Sequence, residues 1–95
     1  MSYQLSVAAE QDVIDIFTSG AAQFGAIKAE QYHTKLKACF EFLERNPLAA
    51  HSRAEIAPPV RMHPIGAHLV IYLLKDNLDV LILRVRHCHE DWLSH

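Results

Sequence analysis

The sequence predicts an α+β domain of order β-α-α-β-β-β, with a helical hairpin packed on a mostly antiparallel sheet. Three observations carry that expectation. Residues 60–92 hold two β-branched apolar runs on either side of the polar turn Lys75-Asp76-Asn77, preceded by a short extended segment, which is the pattern of a three-stranded meander. Residues 8–45 hold two stretches with apolar side chains at helical spacing, interrupted at Gly25. Residues 3–7 alternate apolar and polar side chains, as a strand with one buried face does.

Taken in order, the first strand runs into Ser6, an N-cap residue without the Glu or Gln that would complete a capping box. Glu10 and Asp12 fall in the first turns, where the helix dipole favours acids. From residue 8 to residue 24, Val13, Ile14, Phe17, Ala21 and Phe24 form one apolar stripe. Gly20 interrupts it at a cost of about 1 kcal/mol relative to alanine, and marks either a close backbone approach or a tolerated position. Gly25 stands at the αL C-cap. The second helix, residues 26–45, carries Ala29, Tyr32, Leu36, Cys39, Phe40 and Leu43 on its apolar side and stops at Asn46-Pro47. The connection is so short that the helices must form an antiparallel hairpin. Residues 48–59 read as a loop, because Pro58-Pro59 excludes a central strand. A brief strand at 60–64, a turn at 65–67 and long strands at 68–74 and 79–86 complete the chain. Residues 68–74 are apolar on both faces, which places them inside the sheet. The hairpin covers one face, and the other is expected to be bare enough to need a partner.

Ninety-five residues make one domain, and a chain of this size buries roughly 60–70% of its unfolded surface. Its hydrophobic fraction, 51%, is high for a soluble domain. Two cysteines exclude a disulfide framework; Cys39 reads as a buried, inert thiol and Cys88 lies between His87 and His89. With no signal-peptide pattern and no membrane-length apolar run, a bacterial cytoplasmic location without membrane attachment is expected. The net charge of −2 argues against stable direct binding to nucleic acid, although Arg53, Arg61, Lys75, Arg84 and Arg86 gather in the sheet region as a modest basic patch.

Chemistry-bearing side chains concentrate at the strand ends. Arg61 and Arg84 would grip a phosphate if the meander brought them to one side; otherwise they are solvated, or paired with Glu55, Asp76 or Glu90. His63, His68, His87 and His89 lie in the same region, and His87 and His89 share a face of a strand. No C-x-x-C or H-x-x-x-H pair accompanies them, so neither a metal nor another cofactor is expected. One of these histidines would suit general acid–base work at neutral pH, or they are surface and contact groups. Trp92, beyond the last strand, either folds back on the sheet or anchors a partner.

These residues together resemble the RelE/ParE toxin superfamily, and within it the ParE, or plasmid-stabilisation, branch. Residues 3–6 with Ala9, Asp12, Ile16 and Gly25 are similar to its opening strand and helix. Ala29, Tyr32, Leu36, Phe40, Leu43 and Pro47 resemble its second helix and stop. Arg61, Gly66, His68, Val70 and Tyr72, followed by Leu83-Arg84-Val85-Arg86-His87, resemble its two sheet blocks. The resemblance implies the toxin of a type II toxin–antitoxin system, held in a hetero-oligomer by a ParD-like antitoxin that wraps the hairpin and the exposed sheet. Val13, Phe17, Tyr32 and Leu36 would then meet the antitoxin. It also implies a poison that binds DNA gyrase, with Arg61, Arg84, His87 and Trp92 as the target contacts. The RelE branch offers the alternative of a ribosome-dependent mRNA endonuclease. There Arg61 and Arg84 would hold the phosphate and His87 or His89 would move the proton. No tyrosine follows Arg84, Glu90-Asp91 makes the tail acidic, and the net charge is negative, all of which favour the binding poison. A non-toxic member of the family is the third possibility.

Overall fold

The structure is a computed structural model that describes residues 2–50, 52–53 and 60–88. Its elements are β1 (Tyr3–Leu5), α1 (Val7–Phe24), α2 (Ala26–Arg45), β2 (Ser52–Arg53), β3 (Val60–Ile65), β4 (His68–Leu74) and β5 (Val80–His87). They form one mixed sheet in the order β1-β5-β4-β3-β2, with the helical hairpin on one face. Strands β3, β4 and β5 are the expected antiparallel meander. Strand β1 lies parallel to β5, with Tyr3 opposite Val80 and Leu5 opposite Ile82. Strand β2 falls in the span expected to be a loop and pairs antiparallel with the outer edge of β3. Two edge residues have no periodicity to read, so this strand leaves no mark in the sequence.

Strand β4 is central, and the core forms where its helix-facing side meets α2. Val70, Tyr72, Val80, Ile82 and Val85 of the sheet pack against Ala9, Leu36, Cys39, Phe40 and Leu43 of the helices. The buried Tyr72 hydroxyl donates to the Pro47 carbonyl at 3.0 Å, which pins the exit of α2 to the sheet. Burial pushes the Cys39 thiol up to about 11, in keeping with an inert core cysteine. Leu36, expected among the antitoxin contacts, is 1% exposed. It shares the sheet-facing stripe of α2 with Phe40 and Leu43, so it presents no surface in this conformation.

The two helices are unequally used. Five residues of α2 are buried, but in α1 the buried residues are Ala9 and Asp12. Of the α1 apolar stripe, Ile14 and Phe24 are exposed, while Val13, Phe17 and Ala21 are half-buried. Where the helices cross, Gly20 lies against Ala29, and a Cβ at Gly20 would sit 3.7 Å from the Ala29 Cβ. Ser6 caps α1 as expected, accepting the Ala9 N–H at 3.0 Å. Gly25 has φ 93° and ψ 158°, outside the αL region expected of it. Its N–H closes α1 on Ala21 while its carbonyl accepts the Ala29 N–H to start α2, so one residue with positive φ serves both helices.

The far face of the sheet is less bare than the sequence led us to expect. Ile71, outside the main core cluster, is 3% exposed, and Leu69, Leu73, Leu81 and Leu83 are half-buried.

Candidate functional site

Three sets of polar side chains surround the sheet, and the first is structural. Strand β1 ends at Leu5, so β5 loses its strand neighbour beyond Ile82. The chain closes that edge with Ser6 and Asp12. The Ser6 N–H donates to the Ile82 carbonyl at 2.9 Å and the Ser6 hydroxyl to the Leu83 carbonyl at 2.7 Å. Asp12 then accepts the Val85 N–H at 2.9 Å, the Arg84 Nε–H at 2.8 Å and the Arg84 Nη2–H at 2.9 Å. Burial alone would push the Asp12 carboxyl up. The Arg84 and Val85 hydrogen bonds and the charges of Arg84 and Arg86 outweigh it and hold the carboxyl below its ordinary value. A residue that looked like a helix-dipole acid is thus the clamp between α1 and β5.

The second set is Arg61, whose Nη1 donates to the Ala50 carbonyl and ties β3 to the segment after α2. Arg61 lies opposite Tyr72 and Arg84 lies opposite Ile71. Tyr72 and Ile71 are neighbours on β4 and point to opposite faces, so the register does not bring the two guanidiniums together. Arg84 pairs with Asp12, an acid not considered from sequence; Glu55 and Glu90 lie outside the described residues.

The third set lines an open groove of about 620 Å³ between the hairpin and the end of the sheet. Ile16, Gly20, Phe24 and Ala29 form its apolar floor, and Asp15, Lys28, Tyr32, His68 and His87 supply its polar groups. Gly66 in the β3–β4 turn, at φ 55°, lets the Tyr32 ring sit directly on the backbone: a Cβ there would lie 2.7 Å from the Tyr32 hydroxyl. That hydroxyl donates to the Ile65 carbonyl at 3.1 Å and meets His68 Nδ1 at 2.6 Å. Burial raises the Tyr32 pKa, so the phenol keeps its proton at neutral pH. His68 and His87 are cross-strand neighbours with ring centroids 5.4 Å apart.

Of the residues singled out from sequence, Tyr32 and His87 therefore meet at the groove, while Val13 and Phe17 are half-buried on α1. His89 and Trp92 lie outside the described residues. His68, Asp15 and Lys28 belong to the groove without having been tied to it, because only the register and the hairpin packing bring them there. Among the described residues no three His, Cys, Asp or Glu side chains are grouped for a metal, and no helix is long and apolar enough to cross a membrane.

Comparison with known proteins agrees with this architecture. The family model described as the ParE toxin of type II toxin–antitoxin system, parDE, matches residues 3–92. Toxin ParE1 of Mycobacterium tuberculosis (strain CDC 1551 / Oshkosh) is 28% identical over 89 residues, covering 94% of this chain and 91% of that relative. Toxin ParE1 of Caulobacter vibrioides is 29% identical over 85 residues, covering 90% and 86%. Among solved structures, the chromosomal ParDE TA system from P. aeruginosa contains a chain with the same fold, at a TM-score of 0.78 and 19% identity over 92% of this chain and 95% of that one. With the family model spanning nearly the whole domain, the chain belongs to the ParE toxin family of type II toxin–antitoxin systems.

Proposed function

We propose that this protein is restrained by a ParD-like antitoxin and, when released, inhibits DNA gyrase in the bacterial cytoplasm by binding rather than by chemistry of its own. The observation that carries the antitoxin half is the apolar surface left on the hairpin. Ile27 is 75% exposed and Phe24 62% exposed at its tip, and Val7 and Ile14 are exposed along α1. Phe24 also lines the groove, so this surface runs into a cleft able to accept side chains. Apolar surface of this kind marks a protein-binding site. An antitoxin segment would cover Val13, Phe17 and Tyr32, as read from sequence, together with Ile14, Phe24 and Ile27.

For the target half, the disposition of the arginines supports a binding poison over a nuclease. A phosphate clamp needs convergent guanidiniums, whereas Arg61 holds the Ala50 carbonyl and Arg84 holds Asp12. His87 stands at the groove and stays in the proposed target-contact set with Arg61, Arg84 and Trp92. The test is purified toxin with gyrase, ATP and supercoiled plasmid. Linear DNA trapped on the enzyme is expected, and it should diminish with Trp92→Ala or His87→Ala in variants that keep their far-ultraviolet spectrum. Cleavage of ribosome-bound message with gyrase untouched would replace this reading by the endonuclease. Normal growth of cells expressing the chain without antitoxin would replace it by a non-toxic member.

A further inference from the structure

We propose that His68 and His87 form a binding site for a divalent transition-metal ion of the zinc type at the mouth of the groove. The geometry begins with the sheet. The Cys88 N–H donates to the Ala67 carbonyl at 2.9 Å. Ala67 and Cys88 are therefore a hydrogen-bonded position, and His68 opposite His87, the next rung, is a non-hydrogen-bonded one. That is the rung type at which facing side chains come closest.

The ring spacing fits two imidazoles on one ion. With a metal–nitrogen distance of about 2.0–2.1 Å and the ring centre about 1.1 Å behind the nitrogen, tetrahedral coordination puts two ring centroids about 5.2 Å apart. The observed separation is 5.4 Å, with the planes at 73°. The cross-strand spacing is thus compatible with two imidazoles on one ion.

The hydrogen bonds are compatible with the tautomer that a ligand needs. One phenolic proton cannot serve two acceptors. When Tyr32 donates to the Ile65 carbonyl, its oxygen can accept from His68 Nδ1–H. The lone pair of the neutral ring is then on Nε2. A ligating histidine held through its other nitrogen in this way is the usual outer-shell arrangement of metal sites. Each of the two imidazoles has a further partner within the chain, so an ion would compete with those contacts. Two protein nitrogens leave coordination positions for water. This departs from the expectation of no metal read from the sequence, where no spacing motif joins residues 68 and 87.

The experiment titrates Zn²⁺ into the untagged full-length chain by calorimetry at pH 7.5, with ¹H–¹³C spectra of the imidazoles as a second readout. One ion per chain is expected, with the His68 and His87 resonances shifting together. His87→Gln should weaken binding at least tenfold. Tyr32→Phe, which keeps both ligands and removes only the outer hydrogen bond, should weaken it about 10- to 100-fold. The chain carries seven histidines, so a His68→Gln/His87→Gln variant is the decisive control. Undiminished affinity in that variant, or Zn²⁺ shifts confined to other histidines, overturns the proposal, as does no measurable binding by the parent chain. Should the double variant unfold, the His87→Gln and Tyr32→Phe results decide it.

Discussion

Replacing Asp12 tests how α1 is joined to the sheet. In Asp12→Ala three hydrogen bonds disappear at once, two from Arg84 and one from the Val85 N–H. The losses differ in kind. The Val85 N–H is buried and is left without an acceptor, which costs about 1–3 kcal/mol. The Arg84 side chain is 41% exposed and water replaces part of what it loses, so the ion pair contributes about 0.5–1 kcal/mol. The sum, about 1.5–4 kcal/mol, is a large share of the 5–15 kcal/mol typical of a domain. At this chain length it corresponds to a fall in Tm of about 6–32 °C. Arg84→Ala should cost less than Asp12→Ala, since the backbone donor keeps its acceptor, and Asp12→Asn should fall between them. Urea and thermal unfolding followed by circular dichroism measure all three. An Asp12→Ala cost below about 0.5 kcal/mol, or one no larger than that of Arg84→Ala, would refute the claim that this carboxylate closes the open edge of β5.

The same carboxylate sets an acid limit. Because its folded pKa lies below its unfolded one, its contribution is whole above the ordinary value of about 3.9 and is lost as pH falls from there through the lowered folded value. Urea midpoints at successive pH values should show a steeper acid slope for the parent than for Asp12→Asn. Gly66→Ala should destabilise by about 1–3 kcal/mol, because φ is 55° and the new methyl would meet the Tyr32 hydroxyl at 2.7 Å; chemical denaturation reads it. A thiol reagent at pH 8 should titrate one cysteine, the exposed Cys88, in the folded chain and the second only in denaturant, since Cys39 is buried with its thiol pushed up to about 11.

The elements were legible because each is local. Ser6, Gly25 and Asn46-Pro47 punctuate the helices at or beside the observed boundaries, and β4 spans the expected residues 68–74. What joins the elements was less so. The partner of β1 lies beyond both helices, and no local pattern shows that it runs parallel to β5. The site depended on one irregularity. From the turn, the register pairs Leu74 with Val80 and Tyr72 with Ile82, which extrapolates to Arg86 opposite His68. A bulge leaves Leu83 as an extra residue, and from Ile71 opposite Arg84 onward the pairing slips by one, so His87 faces His68 instead. Leu83 has no feature in the sequence that separates it from the leucines around it. The role of Asp12 is hidden from the sequence for a related reason. A helix position explains an acid near an N-terminus well enough, and only the end of β1 at Leu5 shows why its carboxylate must turn inward.

The parallel pairing of β1 with β5 also bears on how the protein is made. Tyr3 is translated well before its neighbour Val80 and meets it only after the intervening segment has left the ribosome. The helical hairpin can form early from contacts within one stretch of nascent chain. The sheet it rests on cannot be completed until residues 80–87 have emerged, and Ser6 and Asp12 wait for the same strand. Assembly is therefore a late event in synthesis, and a product broken off before β5 lacks the strand on which both the N-terminal segment and the clamp depend.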